Sequence, residues 1–257
     1  MLNSRNQQGF SLVEISIVVL IMGLLLGGLM APLSVQRENA RLRDGHDQLE
    51  SARTAVTGFA LVNGYLPCPA TAASGGLSAP VAGGCTVQHG FVPATTLGLG
   101  GQRNPDNLVL DPWGSPLRYS VSISDADGNG DWDFVTAGEM RGVTMQALQP
   151  DLVVCSTGTG SSATSCASAS VTLADRTPAV LYSLGKDWST FSSPDQLENA
   201  GGTIGGGPSG RSYPVANDDV FVTHGSSQVT GSEFDDLVIW LPANTLFGRL
   251  VDAGQLP

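Results

Sequence analysis

The residues best suited to bind a metal are five oxygen-bearing side chains between residues 125 and 133. They stand at alternate positions, as Asp125, Asp127, Asn129, Asp131 and Asp133. This spacing, with glycine at the sixth position, matches the first half of an EF-hand calcium loop. Thr136 replaces the glutamate expected at the twelfth position, so Asp235 or Asp236 would have to complete the shell. The alternative is an acidic hairpin turn, since Asp-Gly and Asn-Gly favour turns.

The four cysteines form two pairs that are local in sequence, Cys68 with Cys85 and Cys155 with Cys166. Each pair brackets a segment rich in glycine, serine and alanine. In an exported chain we expect both pairs to form disulfides. Four cysteines allow three connectivities, and the local pairing is favoured because each bond would close a flexible loop. A zinc site made by Cys68, Cys85 and His89 is the alternative.

The sequence contains none of the common catalytic motifs. Neither a G-x-S-x-G elbow nor a G-x-x-x-x-G-K-[ST] loop occurs. Of the histidines, His46 is predicted on the surface of a helix, and His89 and His224 in loops beside glycines. We therefore expect no enzyme activity, with a Ser–His–Asp site assembled from distant segments as the alternative.

The composition argues against a nucleic-acid-binding protein. The chain has 257 residues and a formal net charge of −11, and Lys186 is its only lysine. Nucleic-acid binding depends on basic clusters, so no nucleic-acid partner is expected. Charged residues make up 14% of the chain, well below the usual quarter, while glycine is abundant. This weakly charged, glycine-rich composition favours an exported protein.

A long uncharged segment follows a short polar one at the amino terminus. Residues 15–36 carry no charge, and these 22 residues would cross a hydrocarbon core of about 30 Å as a helix. In a secretory signal the cut follows the apolar core, whereas here Gly9 precedes it. Glu14 lies in this apolar surrounding, where a carboxylate costs about 2.5 kcal/mol or more and needs a partner. The alternative is that Glu14 snorkels to the lipid headgroups.

The segment GFSLVE at residues 9–14, between a polar leader and an uncharged helix, resembles the type IV prepilin family. The resemblance covers about residues 9–62. It implies cleavage after Gly9 by a prepilin peptidase, N-methylation of Phe10 and a role for Glu14 in assembly. It also implies that Pro32 softens the helix, since proline removes one helical hydrogen bond.

Cleavage after Gly9 would create a cationic α-amino group on Phe10. Glu14 would pair with this amine in its own chain or in a neighbour, where the pair would set the axial register of packed helices. The resemblance implies a cytoplasmic leader and a large domain outside the cytoplasm, which the paired cysteines also favour. The arginines at residues 37–43 predict the opposite orientation by the positive-inside rule.

Helical periodicity continues beyond the uncharged segment. Val35, Leu42, Leu49 and Val56 repeat every seven residues, and Asn63-Gly64 is a typical helix end. This stripe predicts an amphipathic continuation that packs on a sheet. The predicted regions are a leader at 1–9, a transmembrane and filament-core helix at 10–36, its continuation at 37–63 and an exported β-rich domain at 64–257.

Short apolar runs separated by turn residues follow Pro67. They predict strands at residues 117–123, 152–155, 179–184, 220–223 and 234–241. Residues 70–84, 156–169 and 199–210 are loops by composition. Asn244 is predicted to cap a short carboxy-terminal helix. The expected fold is α+β, with the long helix packed on an antiparallel sheet and disulfide-closed loops.

These observations predict a structural subunit of a type IV pilus or related filament, with a minor pilin favoured by the large exported domain. Its expected partners are the prepilin peptidase, other pilin subunits, the inner membrane and the pilus or secretion assembly machinery. The expected location is the inner membrane, followed by an extracellular or periplasmic filament. The alternatives are a pseudopilin of type II secretion and an anchored binding module that does not polymerise.

Overall fold

The computed structural model of the chain defines residues 11–81, 83–190, 193–201 and 218–257, with side chains omitted at residues 26–34. The chain divides into two compact units, residues 1–43 and 44–257. Helix α1, Leu12–Asn63, contributes its first part to one unit and its last part to the other. It ends where Gly64 takes a φ of 79°, and the amide of Gly64 still donates to the carbonyl of Ala60 at 2.8 Å. A glycine adopts this left-handed conformation without strain, so the helix stops where the sequence predicts.

In the first unit, every side chain from residue 11 to residue 25 is exposed. Among the residues whose side chains are defined, no helix is both long and apolar enough to span a membrane.

The second unit contains short strands and helices in the part of the chain that the structure describes. The strands are β1 His89–Phe91, β2 Arg118–Val121, β3 Leu152–Cys155, β4 Thr172–Thr177, β5 Ala179–Ser183, β6 Val220–Val222 and β7 Leu237–Leu241. The helices are α2 Glu139–Gly142, α3 Pro194–Ala200 and α4 Ala243–Asp252, with one 3-10 turn at Ala169–Val171.

The strands form two sheets. The larger has the order β1-β2-β5-β7 and is antiparallel throughout. The smaller has the order β4-β3-β6, and β3 pairs with β6 in parallel. The predicted α+β class with an antiparallel sheet is confirmed, and the second, mixed sheet is an addition that the sequence did not indicate.

The larger sheet is covered on both faces. One face carries Tyr119, Leu181 and Ile239, which share a core with Leu49 and Val56 of α1. The alternate residues Val180, Tyr182 and Val238 face the smaller sheet. They form a second core with Leu152, Val154 and Phe221 of that sheet. Burial of each large apolar side chain contributes about 1.5–3 kcal/mol. All five residues of β5 are therefore buried, since both of its faces lie in a core.

Three local predictions were wrong. His89 is buried in β1 and not in a loop, because β1 pairs with β2 along the edge of the larger sheet. Asn199 belongs to α3, whose first turn is capped by the hydroxyl of Ser193. Helix α4 begins earlier than predicted, since the amides of residues 245 and 246 donate to the carbonyl of Pro242 and not to a cap at Asn244.

Candidate functional site

Helix α1 begins with a reciprocal pair of hydrogen bonds between Ser11 and Glu14. The amide of Ser11 donates to a carboxylate oxygen of Glu14 at 2.9 Å, and the amide of Glu14 donates to the hydroxyl of Ser11 at 3.2 Å. This is a capping box, which satisfies amides that lack helical partners at the start of a helix. The acidic side chain also lies at the positive end of the helix dipole. Glu14 thus has a local structural role, and its carboxylate remains exposed.

The structure describes only some of the other residues of the amino-terminal motif. Gly9 and Phe10 lie outside the described residues, so the predicted cleavage and methylation positions stay predictions. Pro32 falls inside α1, but its side chain is not among those described. The predicted membrane segment at residues 10–36 includes these same positions.

Two disulfides close loops of the second unit. Cys68 is bonded to Cys85, and Cys155 to Cys166, which is the connectivity that the sequence favoured. Cys68 is fully buried in the core shared with α1, whereas Cys155 ends strand β3. His89 lies beside Ser120, with its Nδ1 2.9 Å from the hydroxyl oxygen.

The loop at residues 125–133 folds around its own backbone amides. The carboxylate of Asp125 accepts from the amides of Gly128, Asn129 and Gly130 at 2.7, 3.2 and 2.8 Å. These hydrogen bonds hold the pKa of Asp125 below its usual value, and the one from Gly130 has the largest effect. Asp127 accepts from the amide of Asn129 at 3.2 Å. The arrangement favours the acidic turn, and calcium in this loop stays a prediction.

The remaining residues of the predicted loop separate by burial. Asp131 is exposed, while Asp133 is fully buried and accepts from the amide of Ala126 at 3.1 Å. Burial raises the pKa of Asp133. Asp235 and Asp236, proposed from the sequence to complete the shell, lie beside Asp187.

Asp187, Asp235 and Asp236 form an acidic cluster that the sequence analysis missed. One carboxylate oxygen from each lies within 4.8 Å of the other two, and no other acidic group of the described residues meets this condition. Asp187 follows β5, and the other two precede β7, its neighbour in the larger sheet. Antiparallel pairing brings these strand ends together. The sequence feature that could have indicated this cluster is the Asp-Asp pair directly before a strongly apolar strand.

Burial and mutual repulsion raise the pKa of two members of this acidic cluster, Asp235 and Asp236. Burial, followed by the neighbouring carboxylate of Asp187, raises the pKa of Asp235 to about 7. Burial raises the pKa of Asp236 well above its usual value, although the charge of Arg118 opposes the shift. Burial and the neighbouring negative charges both disfavour a charged carboxylate.

Arg118 and His89 lie between the two sheets. Arg118 is fully buried on β2, with its guanidinium 5.8 Å from the centre of the Phe91 ring. Burial first, and then the charge of Arg118, lowers the pKa of His89 from 6.5 to about 4. His89 is therefore neutral at pH 7.

The free energy of unfolding is expected to fall as the pH drops from 6.5 to 4. In this range the unfolded chain is protonated at His89, whereas the folded chain remains neutral there. The lowered pKa corresponds to about 3 kcal/mol, fully present above pH 6.5 and lost towards pH 4. Denaturant unfolding of wild type and His89→Gln across this range measures the difference, and the carboxylates cancel because both proteins share them. The exposed His46→Gln is the control, and it should behave as wild type. An equal decline in wild type and His89→Gln would contradict the prediction.

Comparison with known protein families supplies one match. The prokaryotic N-terminal methylation motif matches residues 4–30, which include the capping box. No curated protein and no solved structure has significant similarity to the chain. The chain thus carries the amino-terminal methylation signal of type IV prepilin-like proteins.

Proposed function

We propose that the chain is a minor pilin, a structural subunit of a type IV pilus or a related filament. A prepilin peptidase cuts it after Gly9, and Phe10 becomes the methylated amino terminus. Residues 10–36 hold the subunit in the inner membrane before assembly, with the second unit outside the cytoplasm. The methylation motif at residues 4–30 supports this proposal.

The observation that carries the proposal is the surface of α1 around Glu14. Leu12, Val13, Ile15, Val18 and Leu20 belong to a set of large apolar side chains that are about half exposed or more. A helix that is apolar on all sides needs lipid or protein around it. Glu14 is the one acidic side chain among residues 11–25, and its carboxylate already accepts a hydrogen bond at the exposed end of the helix. Such a carboxylate fixes the axial register between neighbouring helices, which apolar packing alone does not define.

The capping box also explains how Glu14 is tolerated before assembly. In the single chain the carboxylate is satisfied by the amide of Ser11. In the filament the carboxylate accepts a hydrogen bond from the α-amino group of a neighbouring Phe10. This donor is cationic, so its hydrogen bond is stronger than the one from the amide of Ser11. The apolar helix thereby passes from lipid to a protein core while its one carboxylate keeps a donor.

Variants at Glu14 separate capping from charge. Glutamine preserves a capping box but removes the charge, whereas valine removes both. If the charge pairs with the amine of Phe10, both variants should enter filaments at least about tenfold less than wild type, a loss equivalent to about 1.4 kcal/mol. Immunoblotting of sheared filaments against the membrane fraction measures this ratio.

The matched control is Glu38→Gln, an acidic residue of the same helix that lies 3.9 Å from Arg41. Exposed pairs of this kind contribute little, so incorporation should stay at the wild-type level. Normal incorporation of Glu14→Gln would refute the charge mechanism. Cysteine crosslinking along α1 distinguishes a polymerising subunit from an anchored module that remains single, since only the former yields ladders.

A further inference from the structure

The acidic cluster formed by Asp187, Asp235 and Asp236 has a geometry suited to a ligand. Its three carboxylate oxygens lie within 4.8 Å of one another. Gln196 of α3 lies across two of them, and its Nε2 donates to Asp187 at 2.8 Å and to Asp235 at 3.0 Å. The amide of Lys186 donates to Asp235 at 2.7 Å. Three chain segments, at residues 186–187, 196 and 235–236, therefore hold the oxygens in place.

The turn before the cluster is shaped for close approach. Gly185 has a φ of 65°, and a Cβ at this position would lie 2.6 Å from Cγ of Asp235. Only glycine fits here without displacing the carboxylate. The turn thus presses against Asp235 and brings Asp187 alongside it.

Asp236 supplies a second, independent indication of a ligand. The side chain is 4% exposed, and its Oδ2 accepts from Nδ2 of Asn199 at 2.8 Å. Its Oδ1 is buried and has no hydrogen-bond partner in the described part of the chain. A buried carboxylate oxygen without a partner costs free energy, and a bound ion would remove that cost.

The spacing of the three oxygens allows one cation to contact all of them. Two oxygens bound to one calcium ion at about 2.4 Å lie at most about 4.8 Å apart, and the three oxygens satisfy this limit.

We propose that Asp187, Asp235 and Asp236 bind a divalent cation, with Ca²⁺ as the preferred ion. All three ligands are hard carboxylate oxygens, which calcium prefers, whereas zinc sites are built mostly from sulfur and nitrogen. The side chains of Asp187 and Asp235 are partly exposed, so water can complete the six to eight ligands that calcium takes. The ion would join the turn after β5 to the segment before β7. This site does not depend on filament assembly.

Thermal unfolding of the full-length chain in detergent micelles tests the site. After EDTA treatment, calcium chloride at about one hundred times its Kd should raise the unfolding temperature of wild type by roughly 5–10 °C. Asp236→Asn and, separately, Asp187→Asn should lose this shift. Asp127→Asn, which changes an exposed carboxylate of the 125–133 loop, should keep it.

Terbium emission supplies a second measurement that does not rely on stability. Trp188 directly follows Asp187, so excitation of tryptophan should sensitise bound Tb³⁺, and calcium should displace it. Asp236→Asn should lose the displaceable emission, while Asp127→Asn keeps it. An unchanged unfolding temperature of wild type in millimolar calcium would overturn the proposal. So would a shift that survives in Asp236→Asn and disappears in Asp127→Asn, since calcium would then bind the other loop.

Discussion

Replacing Gly9 by valine is expected to leave the chain at its full mass, because the residue before the proposed cut becomes branched and bulky. Wild type should lose residues 1–9 and gain one methyl group on Phe10. The motif that matches residues 4–30 spans this position. Intact-mass spectrometry of the purified chain distinguishes the two forms. The expected effect is complete, since an uncut leader blocks the new amino terminus on which methylation and the pairing with Glu14 both depend.

The matched control is Gly23→Val, the same change at a glycine inside α1. A Cβ at Gly23 meets nothing within 4 Å, so the added bulk fits the helix. This variant should be processed as wild type is. If Gly9→Val instead has the same mature mass as processed wild type, the cut does not depend on this glycine.

Removing the disulfide between Cys68 and Cys85 is expected to cost about 3 kcal/mol of unfolding free energy. The bond closes a loop with a sequence separation of 17, and an open loop gives the unfolded chain more conformations. The double variant Cys68→Ala, Cys85→Ala also loses sulfur atoms from the core that α1 shares with the larger sheet. Urea unfolding of the full-length chain, followed by tryptophan fluorescence, measures the change.

The second disulfide is the natural comparison. Cys155 and Cys166 are separated by 11 positions, so the loop-closure contribution is similar, but Cys166 is only partly buried. The double variant Cys155→Ala, Cys166→Ala should therefore lose somewhat less stability than the first. A loss below about 1 kcal/mol for the first pair would contradict the stabilising role, and would show that the unfolded chain is already compact in this region.

The strongest predictions from the sequence concern features encoded by neighbouring residues. The end of α1 at Asn63-Gly64 follows from local backbone preference, and the structure places it there. Leu49 and Val56 were assigned to the packed stripe, and both are buried. The strand at Leu152–Cys155 was located correctly because a short apolar run between turn residues favours a buried strand. The earlier stripe residue Val35 belongs to the first unit and is exposed.

Features that depend on distant residues were not accessible in the same way. His89 was assigned to a loop because glycine follows it, yet β1 forms through pairing with β2 about thirty residues later. The mixed sheet was missed because its parallel pair joins β3 to β6 across more than sixty residues. Such pairing leaves no local signal, since its stabilisation comes from a partner strand that no sequence window contains.

The candidate sites divide along the same line. The sequence by itself determined the amino-terminal signal and favoured the pairing of neighbouring cysteines, because each is a matter of residue type and short spacing. Only the tertiary structure brought Asp187 beside Asp235 and Asp236, and placed Arg118 close enough to act on Asp236. Antiparallel register between β5 and β7 decides that contact, and burial then raises the pKa of Asp235 and Asp236. Charge in an apolar interior depends on what surrounds it, and that surrounding exists only after the chain has folded.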